Sequence, residues 1–412
     1  MDLLYPHCAG CDVHKDTVVV CVRHQQAGGR VRKEVRTFGT VTRDLLALLD
    51  WLIAEGVTHV AMESTGVYWQ PIYAVLEEHV TILLVNAQHL KQVPGRKTDV
   101  RDCEWIAQLL QHGLLRASFV PPRPIRELRE LTRQRTQLVA QKASVANRIQ
   151  KILEDANVKL GSVASDILGK SGRAMIEALI AGETDPAKLA DLALRRMRPK
   201  IPQLQLALTG RVTPHHRFLF KLLLDEVTAL EGFIERLNLH IEEAMVPFVE
   251  AQKRLTTIPG VDRCVAEKVV AEMGVSMDVF ASAHHLASWV GLSPGNNESA
   301  GKQRSGRITR GNRWLRSVLV QAAWATTRQR NCYLAAQYRR LAGRRGKKRA
   351  LIAVAHSLVV IIYHVLKRGT TYQELGADFF DRTNKERLTR HLIRRLESLG
   401  NEVKVQPVVV AV

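Results

Sequence analysis

The chain of 412 residues is long enough for two or three domains, each with its own core, so a single compact unit is not expected. Its 60 Lys and Arg outnumber 40 Asp and Glu, and the formal charge of +20 argues against an enzyme of neutral metabolites and indicates a polyanionic partner. Six scattered cysteines are too few for a disulfide scaffold.

The positive charge is unevenly distributed along the chain. Residues 1–120 contain 12 Lys and Arg and 13 Asp and Glu, so this part is close to neutral. Residues 299–368 contain 17 Lys and Arg and no acidic residue. The basic surface that the composition predicts is therefore regional.

No apolar run in the sequence is long enough to predict a membrane span. The longest, Leu351 to Leu366, is interrupted by two histidines, a serine and a tyrosine and falls short of the roughly 18 residues that a span needs. The N-terminus lacks a basic leader followed by an apolar core. We expect a cytoplasmic protein without a membrane partner.

The first 120 residues alternate between short strands and helices. Three apolar or β-branched runs with close turns predict an antiparallel meander, and strand-helix-strand crossovers follow. The predicted strands are Cys8–Val13, Thr17–Arg23, Val31–Phe38, His59–Met62 and Thr81–Val85, and the predicted helices are Thr42–Ala54, Tyr68–Glu78 and Thr98–His112. This order predicts a mixed sheet covered by helices, as in a ribonuclease-H-like fold.

Cys8 and Cys11 form a CxxC pair that His7 and His14 flank. Such a pair can bind zinc, but no second ligand pair follows at the spacing of a zinc finger. We therefore interpret both cysteines as buried, reduced thiols on a strand.

A proline cluster at residues 121–124 precedes a change of pattern. Apolar residues then recur every seven positions in two long helices, which predicts an antiparallel coiled-coil arm or a dimerisation seam, with ordinary bundle packing as the alternative. The repeats are Leu131, Leu138, Val145 and Ile152, and then Leu223, Leu230, Leu237 and Ala244. The segment between them, residues 160–215, has no readable role.

Acidic residues occupy the ends of predicted strands and the start of a predicted helix. Asp12 ends the first strand in GCDVHKD, and Glu63 ends the strand in HVAMES. Asp99 and Asp102 lie three residues apart in KTDVRD, so both project from one face of a helix. Carboxylate oxygens are natural ligands of Mg²⁺, and about four such groups hold the two metal ions of a phosphodiester-cleaving site.

Each of these groups also has a purely structural interpretation. An Asp-x-x-Asp pair at a helix start commonly caps the helix or complements its dipole. A carboxylate directly after an apolar strand is less easily explained that way, because its burial is costly unless it is bound or solvated. Lys97 and Arg101 either guide a phosphate to the metals or belong to a solvated loop.

Residues 255–274 contain the sequence IPGV between two amphipathic helical stretches. This pattern is that of a helix-hairpin-helix, in which a tight turn at Pro259 and Gly260 presents backbone N–H groups to one phosphate. A helix-turn-helix packing corner is the alternative.

The stretch from Gly295 to Asn312 is rich in Gly, Asn and Ser and is predicted to be a mobile loop that wraps phosphates. Ser299 and Ser305 are candidate nucleophiles within it. The basic residues interpreted as nucleic-acid contacts are Lys302, Arg304, Arg307 and Arg310 in this stretch and Arg313, Arg345, Lys347 and Lys348 after it.

The motifs CDVHKD, MESTG, KTDVRD, IPGV, WVGLSPG, SAGKQRSGRITRGN and LRSVLVQAAW follow one another from about residue 7 to residue 368. In this order they resemble the IS110 family of insertion-sequence transposases, which are bridge-RNA-guided recombinases. One such motif alone is weak, whereas the series is specific.

The resemblance implies a RuvC-like domain with an Asp-Glu-Asp-Asp magnesium site, which matches Asp12, Glu63, Asp99 and Asp102 here. It also implies a nucleophilic serine just before the Gly/Lys part of the loop, which matches Ser299. Many members have two adjacent serines there, whereas this chain has Glu298 before Ser299. Its implied partners are donor and target DNA, a non-coding guide RNA and further copies of the chain in a dimer or tetramer with composite active sites.

The domains expected on these grounds are a RuvC-like catalytic domain at 1–120, a coiled-coil and linker region at 121–250, a transposase domain with a helix-hairpin-helix and the serine loop at 251–370, and a basic tail at 371–412. Two alternative functions remain. A structure-specific RuvC-like endonuclease would use the same carboxylates with water as nucleophile. A non-catalytic nucleic-acid-binding scaffold would not need all four carboxylates.

Overall fold

The computed structural model describes residues 4–26, 30–64, 66–86, 102–295, 297–299, 302–305, 307–308 and 310–406, with the backbone alone for 297–299 and 302–305. The chain divides into two compact units, Met1–Val120 and Pro121–Val412. The first is α/β and the second is mostly helical, so the mixed fold class predicted from the sequence is confirmed.

The first unit is built on a five-stranded sheet of order β3-β2-β1-β4-β5. β1, β2 and β3 pair antiparallel, whereas β1, β4 and β5 run parallel. The strands are β1 (His7–Val13), β2 (Thr17–Gln25), β3 (Val31–Gly39), β4 (His59–Glu63) and β5 (Thr81–Val85). The five strands predicted from the sequence are therefore confirmed, close to their predicted bounds.

Helices cover both faces of this sheet. α1 (Thr42–Ala54) and α2 (Trp69–Leu76) pack on the face that contains Ala9 and Cys11, through an apolar face that includes Leu48 and Leu52. α3 (Asp102–Gln111) packs on the opposite face, where Ile106 and Leu110 meet Cys8 and Ala61. The alternation of side chains along β1 explains why neighbouring residues belong to different cores.

The second unit contains two long helices, α4 (Arg123–Asp155) and α9 (Pro214–Ala244), which pair antiparallel. Contacts between them run in opposite directions along the two helices: Asp155 with His216, Arg148 with Glu226, Lys142 with Glu231 and Arg135 with Asn238. Leu138, Val145, Leu223 and Leu230 of the heptads are buried, whereas Leu131, Ile152 and Leu237 are half-buried. The predicted antiparallel pairing is confirmed.

The segment without a readable role forms short helices around one end of this pair. They are α5 (Leu160–Val163), α6 (Lys170–Ala181), α7 (Pro186–Asp191), a 3₁₀ turn (Arg195–Lys200) and α8 (Ile201–Ala207). Met175 and Leu204 share one core with Leu153 and Phe220 of the long helices. At this end the long helices are part of an ordinary bundle.

The rest of the second unit is a helical assembly with one hairpin. Its elements are a 3₁₀ turn (Val246–Phe248), α10 (Val249–Leu255), α11 (Arg263–Met273), α12 (Ala283–Val290), β6 (Asn297–Ser299), β7 (Lys302–Ser305), α13 (Arg313–Thr326), α14 (Tyr333–Arg345), α15 (Lys347–Arg368), α16 (Phe379–Thr383) and α17 (Lys385–Glu397). Within the described residues, α15 is the helix whose length and apolar composition would suit a membrane span. It packs against α12, α13 and α14 and buries Val354, Leu358 and Ile362, as a core helix does.

The structure differs from the sequence prediction at residues 295–312. The predicted mobile loop contains an antiparallel hairpin of β6 and β7, in which Asn297 pairs with Ser305 and Ser299 with Lys302. Pro294 and Ile308 form a bridge at its base. The segment lacks the apolar alternation of a strand, but its backbone groups satisfy one another across the hairpin, which polar side chains do not prevent.

Candidate functional site

Asp12 and Glu63 lie at the same end of two neighbouring parallel strands. Cys11 of β1 pairs with Met62 of β4, so the next residue on each strand is one of these acids. Since parallel strands end at the same edge of a sheet, the register places both carboxylates at this edge. Asp12 is about one quarter exposed, and Glu63 is half-buried.

Both carboxylates also belong to the same face of the sheet. Asp12 alternates with Cys8 and Gly10 along β1, and Glu63 alternates with Ala61 along β4. Cys8 and Ala61 pack in the core beneath α3. Asp12 and Glu63 therefore share the face that α3 covers.

Gly10 determines how closely α3 approaches β1. A Cβ atom at this position would lie 2.3 Å from the backbone nitrogen of Ala107 and 2.4 Å from the carbonyl oxygen of Cys103. Only glycine leaves room for this contact between a strand and a helix. The contact places the start of α3, where Asp102 is exposed, on the face that carries Asp12.

His14 is a neighbour of Asp12 that the sequence analysis considered only as a flank of the CxxC pair. Its Nε2 lies 3.2 Å from Oδ2 of Asp12, and its side chain is exposed. In the described part of the chain, no three His, Cys, Asp or Glu side chains are gathered so that they could hold a metal ion. Asp99, Lys97 and Arg101 lie outside the described residues.

The cysteines of the first unit are buried thiols, as the sequence analysis interpreted them. Cys8 and Cys11 belong to cores on opposite faces of the sheet. Burial raises the pKa of Cys8 to about 12. Burial also raises the pKa of Cys103 to about 12, with smaller contributions from neighbouring groups that include Asp12. These thiols are protonated at neutral pH and are poor metal ligands.

The second candidate site is the hairpin that carries Ser299 in the second unit. Ser299 is the last residue of β6 and pairs with Lys302, while Arg304 lies within β7. At the base of the hairpin, the amide of Gly295 donates a hydrogen bond to the carbonyl of Arg307 at 2.8 Å. The hairpin therefore holds the candidate nucleophile within a stretch that has no acidic residue after Glu298.

Asn312 anchors the chain where it leaves the hairpin. Its side-chain oxygen accepts hydrogen bonds from the amides of Trp314 and Leu315 and so caps α13. Its amide nitrogen donates to Glu272, which is 2% exposed and also receives two hydrogen bonds from Arg133 at 2.7 and 2.8 Å. One buried carboxylate thus ties together α4, α11 and the start of α13.

The turn between α10 and α11 brings Pro259 and Gly260 to a packed position. Gly260 has a φ of +81°, and a Cβ there would lie 2.4 Å from Cγ2 of Thr326 and 2.5 Å from the carbonyl of Ala322. Asp262 caps α11 by accepting a hydrogen bond from the amide of Val265. Both predicted helices and the turn are present, and the turn packs against α13.

The chain matches two transposase family models. Residues 9–158 match the DEDD-type IS110 model, described as Transposase, and residues 252–339 match a model described as Transposase IS116/IS110/IS902 family. Together they cover more than half of the chain. The chain belongs to the IS110 family of transposases.

Relatives of similar length carry transposase names. The chain is 27% identical over 323 residues to a "Probable family 20 transposase" of Pseudomonas aeruginosa. This alignment covers 76% of this chain and 85% of that protein. The chain is also 26% identical over 301 residues to the "Transposase for insertion sequence element IS1111A" of Coxiella burnetii. That alignment covers 70% of this chain and 72% of the relative.

Several predicted nucleic-acid contacts of this transposase meet at one cleft. Arg307, Arg345 and Lys348 line it. Arg313 lines a smaller pocket, where its guanidinium lies 5.2 Å from the ring of Trp314. Arg310 and Lys347 are exposed.

Glu272 and Asn312 were not predicted from the sequence. An asparagine directly before an amphipathic helix is a recognised N-cap signal, so Asn312 was detectable. Nothing local distinguishes Glu272, because its partner Arg133 is 139 residues away.

Proposed function

We propose that this IS110-family transposase cuts and rejoins donor and target DNA with a magnesium-binding carboxylate site and a serine nucleophile, guided by a non-coding RNA. One observation carries the proposal. Asp12 and Glu63 end neighbouring parallel strands on the one face that α3 covers, and Asp102 begins that helix. Two carboxylates thus share one face of the sheet, and a third begins the helix that covers this face.

The donor set suits Mg²⁺. Asp12, Glu63 and Asp102 would supply oxygen ligands, which this ion prefers, and the thiols beneath them are buried and protonated. Asp99 would be the fourth ligand. When bound, the metal would stabilise negative charge on the phosphate and on the departing oxygen. His14, beside Asp12, is placed to orient that carboxylate.

Ser299 is the proposed nucleophile. Its hydroxyl gives up its proton as Oγ attacks the phosphorus of a phosphodiester. The bond from phosphorus to one DNA oxygen breaks, and that oxygen takes up a proton and leaves as a hydroxyl. The resulting phosphoserine ester keeps the energy of the broken bond. A hydroxyl of another DNA end then attacks the same phosphorus and releases the serine, so rejoining needs no external energy source.

The basic residues supply the grip on nucleic acid. Arg307, Arg310 and Arg313 follow the hairpin, and Arg345, Lys347 and Lys348 lie where α14 meets α15. Such cations bind phosphates whatever the base sequence. We therefore assign the choice of DNA to a guide RNA, and we expect the chain to act as a dimer or tetramer.

The test uses the full chain, expressed with the DNA that flanks its gene so that an encoded RNA is present. The protein is incubated with supercoiled plasmid that carries this flanking DNA and Mg²⁺. We expect strand cleavage and, on a denaturing gel, a covalent protein–DNA species. Ser299→Ala should abolish that species while DNA binding is retained, and Asp12→Asn should abolish cleavage.

Ser305→Ala is the matched control, because it removes the same group from the opposite strand of the hairpin. It should retain the adduct. An undiminished adduct in Ser299→Ala would overturn the serine assignment, and cleavage without any adduct in the unchanged protein would point to water as the nucleophile. Sequencing the RNA that co-purifies with the protein tests the guide, since random fragments alone would contradict it.

A further inference from the structure

A cleft of about 990 Å³ lies at the base of the Ser299 hairpin. One wall is formed by residues at the hairpin base, including Pro294 and Ile308, and the others by α14 and α15. Gln337, Leu341 and Arg345 occur at intervals of four along α14 and so share one helix face. In the proposed function, Arg307, Arg345 and Lys348 at this cleft hold phosphates, and its floor and apolar walls have no role.

The floor of the cleft contains polar atoms that lack partners. Nε2 of Gln337 donates a hydrogen bond to Oγ of Ser357 at 2.9 Å. The other polar atom of this amide, Oε1, is buried. Within the described residues, neither Oε1 of Gln337 nor Nδ1 of His356 has a hydrogen-bond partner. Buried polar atoms are rarely left unpaired in a folded protein, so this pair indicates a ligand or ordered water.

His356 is positioned to accept a hydrogen bond. Its ring donates to the backbone of Leu292, which assigns the remaining nitrogen, Nδ1, as an acceptor. Burial lowers the pKa of His356, and the neighbouring His284 lowers it further, so the ring is neutral at physiological pH. The floor therefore offers two hydrogen-bond acceptors and no positive charge.

The walls and the rim have a different character. Leu292, Leu341, Ile352 and Ala353 contribute apolar surface to the walls. Arg345, Lys348 and Arg349 are exposed around the cleft, in a part of the sequence without acidic residues. The cleft thus combines a cationic rim, apolar walls and a floor of acceptors.

We propose that this cleft binds one unstacked nucleobase of a single-stranded segment, with the base between the apolar walls and its phosphate at the cationic rim. An amino group of adenine, cytosine or guanine donates to Gln337 and His356. The proposal rests on the nucleic-acid partner of the proposed function, but not on Ser299 or the carboxylates.

The three features together select a nucleobase over simpler ligands. A phosphate alone would be repelled by the two acceptors on the floor and gains nothing from apolar walls. A base offers a flat apolar face, hydrogen-bond donors on its edge and a phosphate a short distance away. The single strand can be DNA or RNA, since the cleft reads features that both share.

The experiment titrates the full chain, without added metal, against a short oligonucleotide that contains one 2-aminopurine and a terminal dye. The base carries an amino group, and its emission rises when it leaves the stack. Dye anisotropy reports overall binding. We expect a several-fold rise in emission with the unchanged protein and an affinity for the oligonucleotide roughly tenfold above that for an otherwise identical abasic strand.

The double variant Q337L/H356F should lose the rise in emission and the preference for the base, while the abasic strand binds as before. His364→Phe on the same helix lines a different pocket and serves as the control. The double variant also removes the hydrogen bonds from Gln337 to Ser357 and from His356 to Leu292, so it should melt slightly earlier than the unchanged chain. Retained binding of the abasic strand shows that the fold is intact. Weaker binding of that strand as well would show a damaged fold, and the single variant Q337L then tests the base contact.

The rim is tested separately. Arg349→Ala should lower the affinity for the base-containing and the abasic strand equally, by a few-fold, whereas Arg368→Ala at the far end of α15 should not.

DNA and RNA oligonucleotides are titrated in parallel, and the comparison identifies which of the two supplies the base. Equal emission in the unchanged chain and the double variant, or equal affinity for base-containing and abasic strands of both kinds, would overturn the proposal. Ser299→Ala should keep the rise in emission. Failure of the serine mechanism can therefore be told apart from failure of base binding.

Discussion

Both units of this transposase have apolar cores, and they differ in the buried ionic contacts beside them. In the first unit, buried thiols and aliphatic side chains pack on both faces of one sheet. In the second unit, the contact between α4 and α11 contains two buried carboxylates, Glu267 and Glu272, that pair with arginines of α4. The apolar core tolerates few charges, whereas the ionic contact depends on each partner being present.

The same contrast extends to the candidate sites. Asp12 and Glu63 of the first unit are placed by strand register, which the whole sheet fixes. Ser299 and the basic residues of the second unit are placed by a short hairpin and helix ends, which a few contacts such as that of Asn312 with Glu272 hold. The strand-end carboxylates thus depend on the pairing of the sheet, and the second site depends on individual side chains.

The largest expected difference between the units is in thiol reactivity. Cys264 of the second unit is exposed, whereas Cys8 and Cys103 of the first are buried with a pKa of about 12. The thiolate is the reactive form, and burial both raises the pKa of Cys8 and Cys103 and blocks access to them. An alkylating reagent at pH 8 should therefore modify Cys264 long before either of them. Mass spectrometry of timed samples measures the order. Equal rates would show that the first unit opens readily.

The second prediction concerns the ionic contact. Glu272→Ala leaves Arg133 and the half-buried Arg129 without their carboxylate and removes the partner of Asn312. Breaking a fully buried ion pair by removing one partner costs about 3–5 kcal/mol. Because Arg133 is one third exposed, we expect a smaller loss here, of about 2–4 kcal/mol in the free energy of unfolding. Alkylation of the buried Cys332 should then accelerate, while that of Cys8 stays unchanged.

Glu250→Ala is the control for this change. Its pair with Lys253 is exposed, so no measurable change is expected. Faster alkylation of both Cys332 and Cys8 in Glu272→Ala would mean that the two units unfold together. It would contradict the expectation that this ionic contact stabilises the second unit alone.

The sequence predicted those features whose causes are local. Alternating side chains and turns located the five strands, and the acids at strand ends followed from them. The hairpin at Ser299 was not predicted, because it is stabilised by backbone pairing and by the bridge of Pro294 with Ile308 rather than by an apolar pattern. The roles of Glu272 and of the packed turn at Gly260 depend on residues far away in the chain, which no local pattern reveals.

The smallest expected effect, and the one that tests the first unit alone, is that of Gly10→Ala. The added methyl group meets the backbone of α3 rather than a flexible side chain, so the helix must move away from β1. Overpacking of this kind costs about 1–3 kcal/mol.

Displacing α3 also displaces Asp102, so DNA cleavage should fall by more than the loss of folded protein explains. Alkylation of Cys8 and Cys103 should accelerate while that of Cys332 does not. Gly232→Ala in the middle of α9 is the matched control, because nothing lies within 4 Å of its added Cβ, and it should stabilise the chain by up to about 1 kcal/mol. Unchanged cleavage in Gly10→Ala, with Cys8 and Cys103 as protected as before, would show that the position of Asp102 does not depend on this contact.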